Sequence, residues 1–347
     1  MFDVERTQYS GHAVEIAEKL DADAYDVIAS CSGDGLPHEV FNGLGKKKDA
    51  SRALAKVAVV QLPCGTGNAM SLNLNGTDSP SMAALAVVKG LRTPLDLISI
   101  TQGDRRTLSF LSQSFGIAAE SDLGTENLRW MGAARFTYGV LARILANTVY
   151  PCDVAVQLVD GDKASIKQRH RDHINANSSS PYTAQSQKDL FSSSSDASSN
   201  QSQRPDDGLP PLRFGTVQDP LPSTWRMIPY PKLGILYAGN MLYMAASTPF
   251  FSFALPSDGC IDLVTVDFDC SRLGAVKTLL AVEKGTLFDM ESVQYSKVEG
   301  YRIVPREKKG YVSVDGERVP FEPFQVEVHR ALGCVLSRHG SGYEGAG

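Results

Sequence analysis

Two stretches of the chain repeat one design: an apolar run of strand length, a turn built on glycines, then the start of a helix. The first is "YDVIASCSGDGLPHEVF" (25–41) and the second is "VAVVQLPCGTGNAM" (57–70). Ahead of them, "HAVEIAEKLD" (12–21) has apolar residues at Val14, Ile16, Ala17 and Leu20, the spacing of an amphipathic helix. Pro37 suits the first turn of the helix that follows the first loop. Strand–loop–helix units in succession predict a parallel sheet with crossover helices, a doubly wound α/β unit.

In that arrangement the loops at the carboxyl ends of the strands line the ligand crevice. "SGDG" (32–35) and "PCGTGNA" (63–69) both belong there. Glycines allow backbone N–H groups to approach phosphate oxygens, and the next helix turns its positive end toward the anion. Asn68 can donate an amide hydrogen bond within the same cradle. Asp34 is the odd member, because a carboxylate repels phosphate. Three jobs are open to it: taking a proton from an attacking hydroxyl, holding Mg2+, or capping the next helix.

After about residue 92 the texture changes to short, alternating runs separated by turn residues, among them "TPLDLISI", "DVAVQLVD", "CIDLVTVDFD" and "FQVEVHR". That is the pattern of an antiparallel β-sandwich. Helical interruptions are expected at 129–147 and 271–285. Two units follow: an α/β unit at 1–91, and a β-sandwich at 92–340 that carries a disordered Ser-rich insertion at about 165–224. The apolar stretch 233–256, broken by Asn240 and Pro249, reads as buried strands rather than a membrane span.

The remaining composition is restrictive in a negative sense. A net charge of −5 argues against a nucleic-acid partner. Six scattered cysteines without CxxC spacing argue against a disulfide framework or zinc site and fit a reducing compartment. The polar start "MFDVERTQYSGHA" is no signal peptide.

"SGDGLPHEVFNGL" followed by "LPCGTGNAMSLNL" resembles the catalytic core of the sphingosine kinase family, within the diacylglycerol kinase-like lipid kinases. Later segments agree in order: "SQSFGIAAESDLGTENLRWMGAARFTYG" (112–139), "PSDGCIDLVTVDF", "LLAVEKGTLFDM" and "VSVDGERVPFEPFQVEVH". The style of the insertion is that of a fungal long-chain-base kinase. The family's first strand and its Asn-Pro-x-Gly-Gly loop have no counterpart, and Met1 falls about where its second strand would be, so an N-terminally truncated chain is expected.

The resemblance implies an ATP-dependent kinase of sphingoid bases, with ATP and Mg2+ as cofactors and no metal ligand assigned. Asp34 would be the catalytic base, with Ser32, Gly33 and Gly35 shaping the meeting place of hydroxyl and phosphate. Gly65, Thr66 and Gly67 would bind nucleotide phosphates, joined by Thr7, Glu39, the arginines Arg129 and Arg135, and the closing motif Asp315, Gly316 and Glu317. Asp122, supported by Ser112, would face the lipid's amino and hydroxyl head. Phe115, Ile117, Leu242, Phe250, Phe251 and Phe253 are candidates for the tail tunnel or for ordinary core.

The alternatives are a diacylglycerol or ceramide kinase, a soluble kinase of the NAD kinase type, and a truncated lipid-binding remnant without catalysis. The implied location is cytoplasmic and peripherally membrane-associated, with transient contact to a bilayer and a homodimer left open. The insertion's serines are candidate phosphorylation sites.

Overall fold

A computed structural model describes residues 2–131, 134–178, 208–245, 248–267, 272–338 and 342–344. The first part alternates as the sequence predicts: α1 (His12–Lys19), β1 (Val27–Ser32), α2 (Gly35–Gly45), α3 (Ala50–Lys56), β2 (Ala58–Pro63), α4 (Ala69–Asn75) and α5 (Pro80–Lys89). β1 and β2 are parallel and paired in register from Val27↔Ala58 to Ser32↔Pro63. The two strands therefore end level, and the glycine loops that follow start side by side.

The second part is rich in antiparallel strands. It opens with β3 (Arg92–Gln102), β4 (Arg105–Ser109) and β5 (Ser112–Gly116), then α6 (Ile117–Leu123) and α7 (Ala134–Ala146). β6 (Cys152–Asp160), α8 (Lys163–Ser178), β7 (Arg226–Tyr230) and β8 (Leu233–Gly239) follow. Two short strands, β9 (Tyr243–Ala245) and β10 (Thr248–Pro249), precede β11 (Ile261–Asp267) and the helix Arg272–Glu283. The chain closes with β12 (Val293–Pro305), the hairpin β13 (Val312–Val314) and β14 (Glu317–Val319), and β15 (Phe324–Leu336). This is an α/β unit followed by a β-rich one.

β15 ties the parts together. One end of it pairs with β12, its length pairs antiparallel with β3, and Val335 pairs parallel with Val59 of β2. The principal core is continuous across the same line, running from Phe41 and Leu54 to Phe251 and Tyr295. The stretch 233–256 forms β8, largely buried as expected, and the short pair β9–β10, which is only half-buried, and among the described residues no helix is long and apolar enough to cross a membrane.

The insertion differs from expectation at both ends. Residues 163–178 form α8, whose Ile166 is buried in the core. Residues 208–225 lie against the strands: the backbone N–H groups of Arg213 and Phe214 donate to the Glu327 carboxylate at 2.8 and 2.9 Å, and Trp225 is buried. A few anchoring groups outweigh the polar average, because Glu327 is itself buried and needs donors. The serine-rich middle, 179–207, lies outside the described residues.

Candidate functional site

The two glycine loops touch. A Cβ placed on Gly65 would come within 2.4 Å of the Gly33 Cα, and one on Gly33 within 2.8 Å of the Gly67 carbonyl oxygen. Both contacts are to backbone, which cannot swing aside, so neither position can carry a side chain without parting the loops. The Cys64 N–H donates to the Ser32 carbonyl at 3.2 Å and completes the junction. Asn68 closes its own loop, accepting from Gly65 N–H at 3.1 Å and donating to the Gly65 carbonyl at 2.9 Å.

Asp34 stands at this junction, immediately before α2. It makes no cap to its own helix and reaches across to the next one. The Ala69 N–H donates to Oδ2 at 3.0 Å, the Met70 N–H to Oδ1 at 3.0 Å, and Gln61 Nε2 to Oδ1 at 3.2 Å. The carboxylate therefore occupies the amino end of α4 that the sequence left for a phosphate, and Ser71 N–H is taken by Gln61 Oε1 at 2.8 Å. Burial raises the Asp34 proton affinity above that of an ordinary carboxylate, against the three hydrogen bonds, and the charge of Asp315 adds to the rise.

The Asp315 carboxylate is at the opposite extreme of satisfaction. It accepts from Ser109 Oγ at 2.6 Å and from the backbone N–H groups of Phe110, Leu111 and Ser112 at 3.1, 3.0 and 2.9 Å. His38 Nδ1 lies 2.8 Å from Oδ2. Burial alone would lower the His38 pKa, but the bond to Asp315 and the charges of Asp315, Glu317 and Glu39 raise it. Asp315 thus holds the β4–β5 turn and has no oxygen left for a metal. Gly316 and Glu317 beside it are exposed, and a Cβ on Gly35 would meet Glu317 Oε1 at 3.2 Å.

These groups line one cavity of about 770 Å³. Its lining includes Gly33, Asp34, Gly35, Thr66 and Gly67 together with Asp315, Gly316 and Glu317. Ser112, Asp122, Arg135 and Tyr237 also line it, and Ile117, Val140, Ile144, Leu279 and Val282 are among its apolar residues. Arg135 Nη2 is 3.0 Å from Asp122 Oδ1, and Nη1 donates to the Asp122 carbonyl at 2.6 Å. The two residues expected at lipid head and nucleotide are thus ion-paired to each other. The Tyr237 hydroxyl is raised by burial, offset by a hydrogen bond with Ser112 and reinforced by Asp122, Asp315 and Asp34. It therefore stays protonated and can donate a hydrogen bond within the cavity.

Other expected positions lie off this wall. Glu39 accepts from Gly11 and Ala13 N–H at 2.8 and 3.0 Å, so both its oxygens serve the start of α1 rather than a nucleotide. Thr7 is exposed on the extended segment before α1, and Ser32 ends β1. The side chain of Arg129, in the turn Glu126–Met131, lies outside the described residues. Of the tail candidates, Ile117 and Phe250 line the cavity. Leu242, Phe251 and Phe253 pack in the core, and Phe115 stacks on Phe321 at 5.8 Å. A separate cavity of about 300 Å³ around Phe115 and Tyr150 shares no lining residue with the larger one, and its rings pack on one another.

Four residues of the site carried no assignment from sequence: His38, Asn42, Gln61 and Tyr237. Asn42 bridges α2 to β4, donating to the Leu108 carbonyl and accepting from its N–H, both at 2.8 Å. Gln61 did leave a signal, a lone amide inside an apolar strand.

Residues 1–100 match the diacylglycerol kinase catalytic domain family. The chain is 37% identical to sphingoid long chain base kinase 5 of Saccharomyces cerevisiae over 96% of its own length and 54% of that protein's. Against sphingoid long chain base kinase 4 of Schizosaccharomyces pombe the identity is 34%, over 95% and 66%. Human sphingosine kinase 1 is 29% identical over 95% of the chain and 82% of the relative. A crystal structure of a putative diacylglycerol kinase from Bacillus anthracis superposes with a TM-score of 0.61 at 16% identity, covering 96% of this chain and 83% of that one. The chain thus spans between about half and two thirds of the two yeast relatives.

Proposed function

Because the chain belongs to the sphingoid long-chain-base kinase family, within the diacylglycerol kinase-like proteins, we propose that it transfers the γ-phosphate of ATP to the primary hydroxyl of a sphingoid base. One observation carries the reading: a single cavity is lined by glycines, a half-buried carboxylate of raised proton affinity and a set of apolar residues.

The apolar residues suit an acyl-like tail, where each buried methylene contributes about 0.8 kcal/mol. The hydroxyl end then lies near Asp34, which takes its proton as the oxygen attacks the γ-phosphorus. The new O–P bond forms as the bond to the β-phosphate oxygen breaks, and ADP leaves. The base contributes roughly 10²–10⁴-fold in rate. Thr66 and Gly67 offer backbone amides to the phosphates, since the Gly65 N–H is taken by Asn68, and Arg135 is the cation within the cavity that can turn toward them. Asp122, which lines the same cavity, pairs with the substrate ammonium in this reading, which makes a charged head preferable to the neutral head of diacylglycerol.

Mg2+ fits as a companion of the nucleotide. Among the described residues no group of three or more His, Cys, Asp or Glu side chains could cage an ion. Glu317, exposed on the cavity lining, is the carboxylate free to hold it against the phosphates. When bound, the ion supplies charge neutralisation on the transferring group. Docking on a bilayer in the cytoplasm follows from the nature of the substrate.

The test is radiolabel transfer from ATP by the purified chain to sphinganine, diacylglycerol, ceramide and NAD in parallel. Sphinganine should be the preferred acceptor. Preference for diacylglycerol would remove the argument from Asp122, and label on NAD alone would remove the lipid reading.

A further inference from the structure

β2 leads into the second glycine loop with the sequence Ala-Val-Val-Gln-Leu-Pro, and its one polar side chain, Gln61, is fully buried. The three partners of that amide fix which way it faces. A backbone N–H can only donate, so the Ser71 N–H at 2.8 Å identifies Oε1. A carbonyl can only accept, so the Ser32 carbonyl at 3.3 Å identifies Nε2. The same Nε2 donates to Asp34 Oδ1 at 3.2 Å.

The two oxygens of Asp34 thereby become unlike. Oδ1 receives Met70 N–H and Gln61 Nε2, one donor for each lone pair. Oδ2 receives Ala69 N–H alone and lies toward Gly67, where a Cβ would sit 3.3 Å away. We propose that Gln61 is a positioning residue, holding Asp34 in one orientation so that Oδ2, with its remaining lone pair, is the atom that takes the substrate proton. This rests on Asp34 being the base. Without the Gln61 donor the carboxylate is left to the Ala69 and Met70 amides, and its plane can tilt so that the spare lone pair no longer points at the substrate hydroxyl.

Gln61→Met keeps the volume and removes the donor, so kcat should fall about tenfold, the worth of one hydrogen bond to a charged group. KM for ATP and for sphinganine should hold. The acid limb of the pH–rate profile should move to higher pH, because the lost bond favoured the ionised carboxylate. Gln61→Glu sets a second carboxylate against Asp34 and should move that limb further. Carbon-13 NMR of carboxyl-labelled aspartate reads the Asp34 titration without turnover, and in the unaltered chain the Gln61 side-chain amide signals should shift along that same titration. A lower melting temperature with the limb unmoved, or Gln61 amide signals indifferent to the Asp34 titration, would overturn the assignment. An unaltered chain that transfers no phosphate would instead sink the kinase reading, and the NMR arm would still judge Gln61.

Discussion

Asp34 and Asp315 line one cavity and both stand beside glycines, yet the first is half-buried, the second is buried, and they have different chemical characters. Asp315 collects one hydroxyl, three backbone amides and an imidazole. Asp34 collects two backbone amides and one side-chain amide. A carboxylate with every lone pair engaged is a strut, whereas one with a lone pair to spare and raised proton affinity is a base. The adjacent glycines do not separate the two roles. The count of donors does.

The contrast can be broken most decisively at Asp34. Asp34→Asn should lower phosphate transfer by about 10²–10⁴-fold while circular dichroism remains that of a folded chain. Unchanged transfer would make Asp34 a second strut. Asp315→Ala should act on stability, costing about 3–5 kcal/mol in urea unfolding because it strands the His38 imidazole and three amides. A variant that unfolds at the usual urea concentration yet transfers no phosphate would reverse the assignment.

Asp122→Asn should have a smaller effect, reducing the preference for sphinganine over diacylglycerol by about tenfold, in line with loss of one charge-assisted hydrogen bond. The mildest effect is on pH. His38 has a folded pKa raised above its unfolded one, so its stabilisation is complete below the ordinary histidine value and fades as pH rises through the folded one. Urea midpoints should decline over that window in the unaltered chain, and a His38→Gln variant should lose that decline.

Much of the framework was legible in the residues. The strand–glycine–helix unit used twice fixed β1, α2, β2 and α4, because apolar period and glycine placement are local properties. Which carboxylate does what was not legible. The donors to Asp34 lie 27 to 36 positions away, and the His38–Asp315 pair spans 277. No spacing rule reaches that far. Glu39, expected beside the nucleotide, is turned by the fold toward the start of α1. The tunnel lining was missed for a related reason: Val140, Ile144 and Leu279 come from helices whose apolar faces read like any core face. The insertion shows the limit of composition, since one end is anchored by Ile166 and the other by the buried Glu327 and by Trp225.

The placement of β15 has a consequence for how the molecule comes into being. β2, which delivers Gln61 and the second glycine loop, has β1 on one side and β15 on the other. A ribosome that has finished the first hundred residues has therefore made both loops but not the strand that flanks them. Until Phe324–Leu336 emerges, β2 has a bare edge and the floor of the crevice lacks a wall. Competence should thus arrive late in synthesis, and nascent chains stalled before that strand should expose an edge that invites chaperones or aggregation.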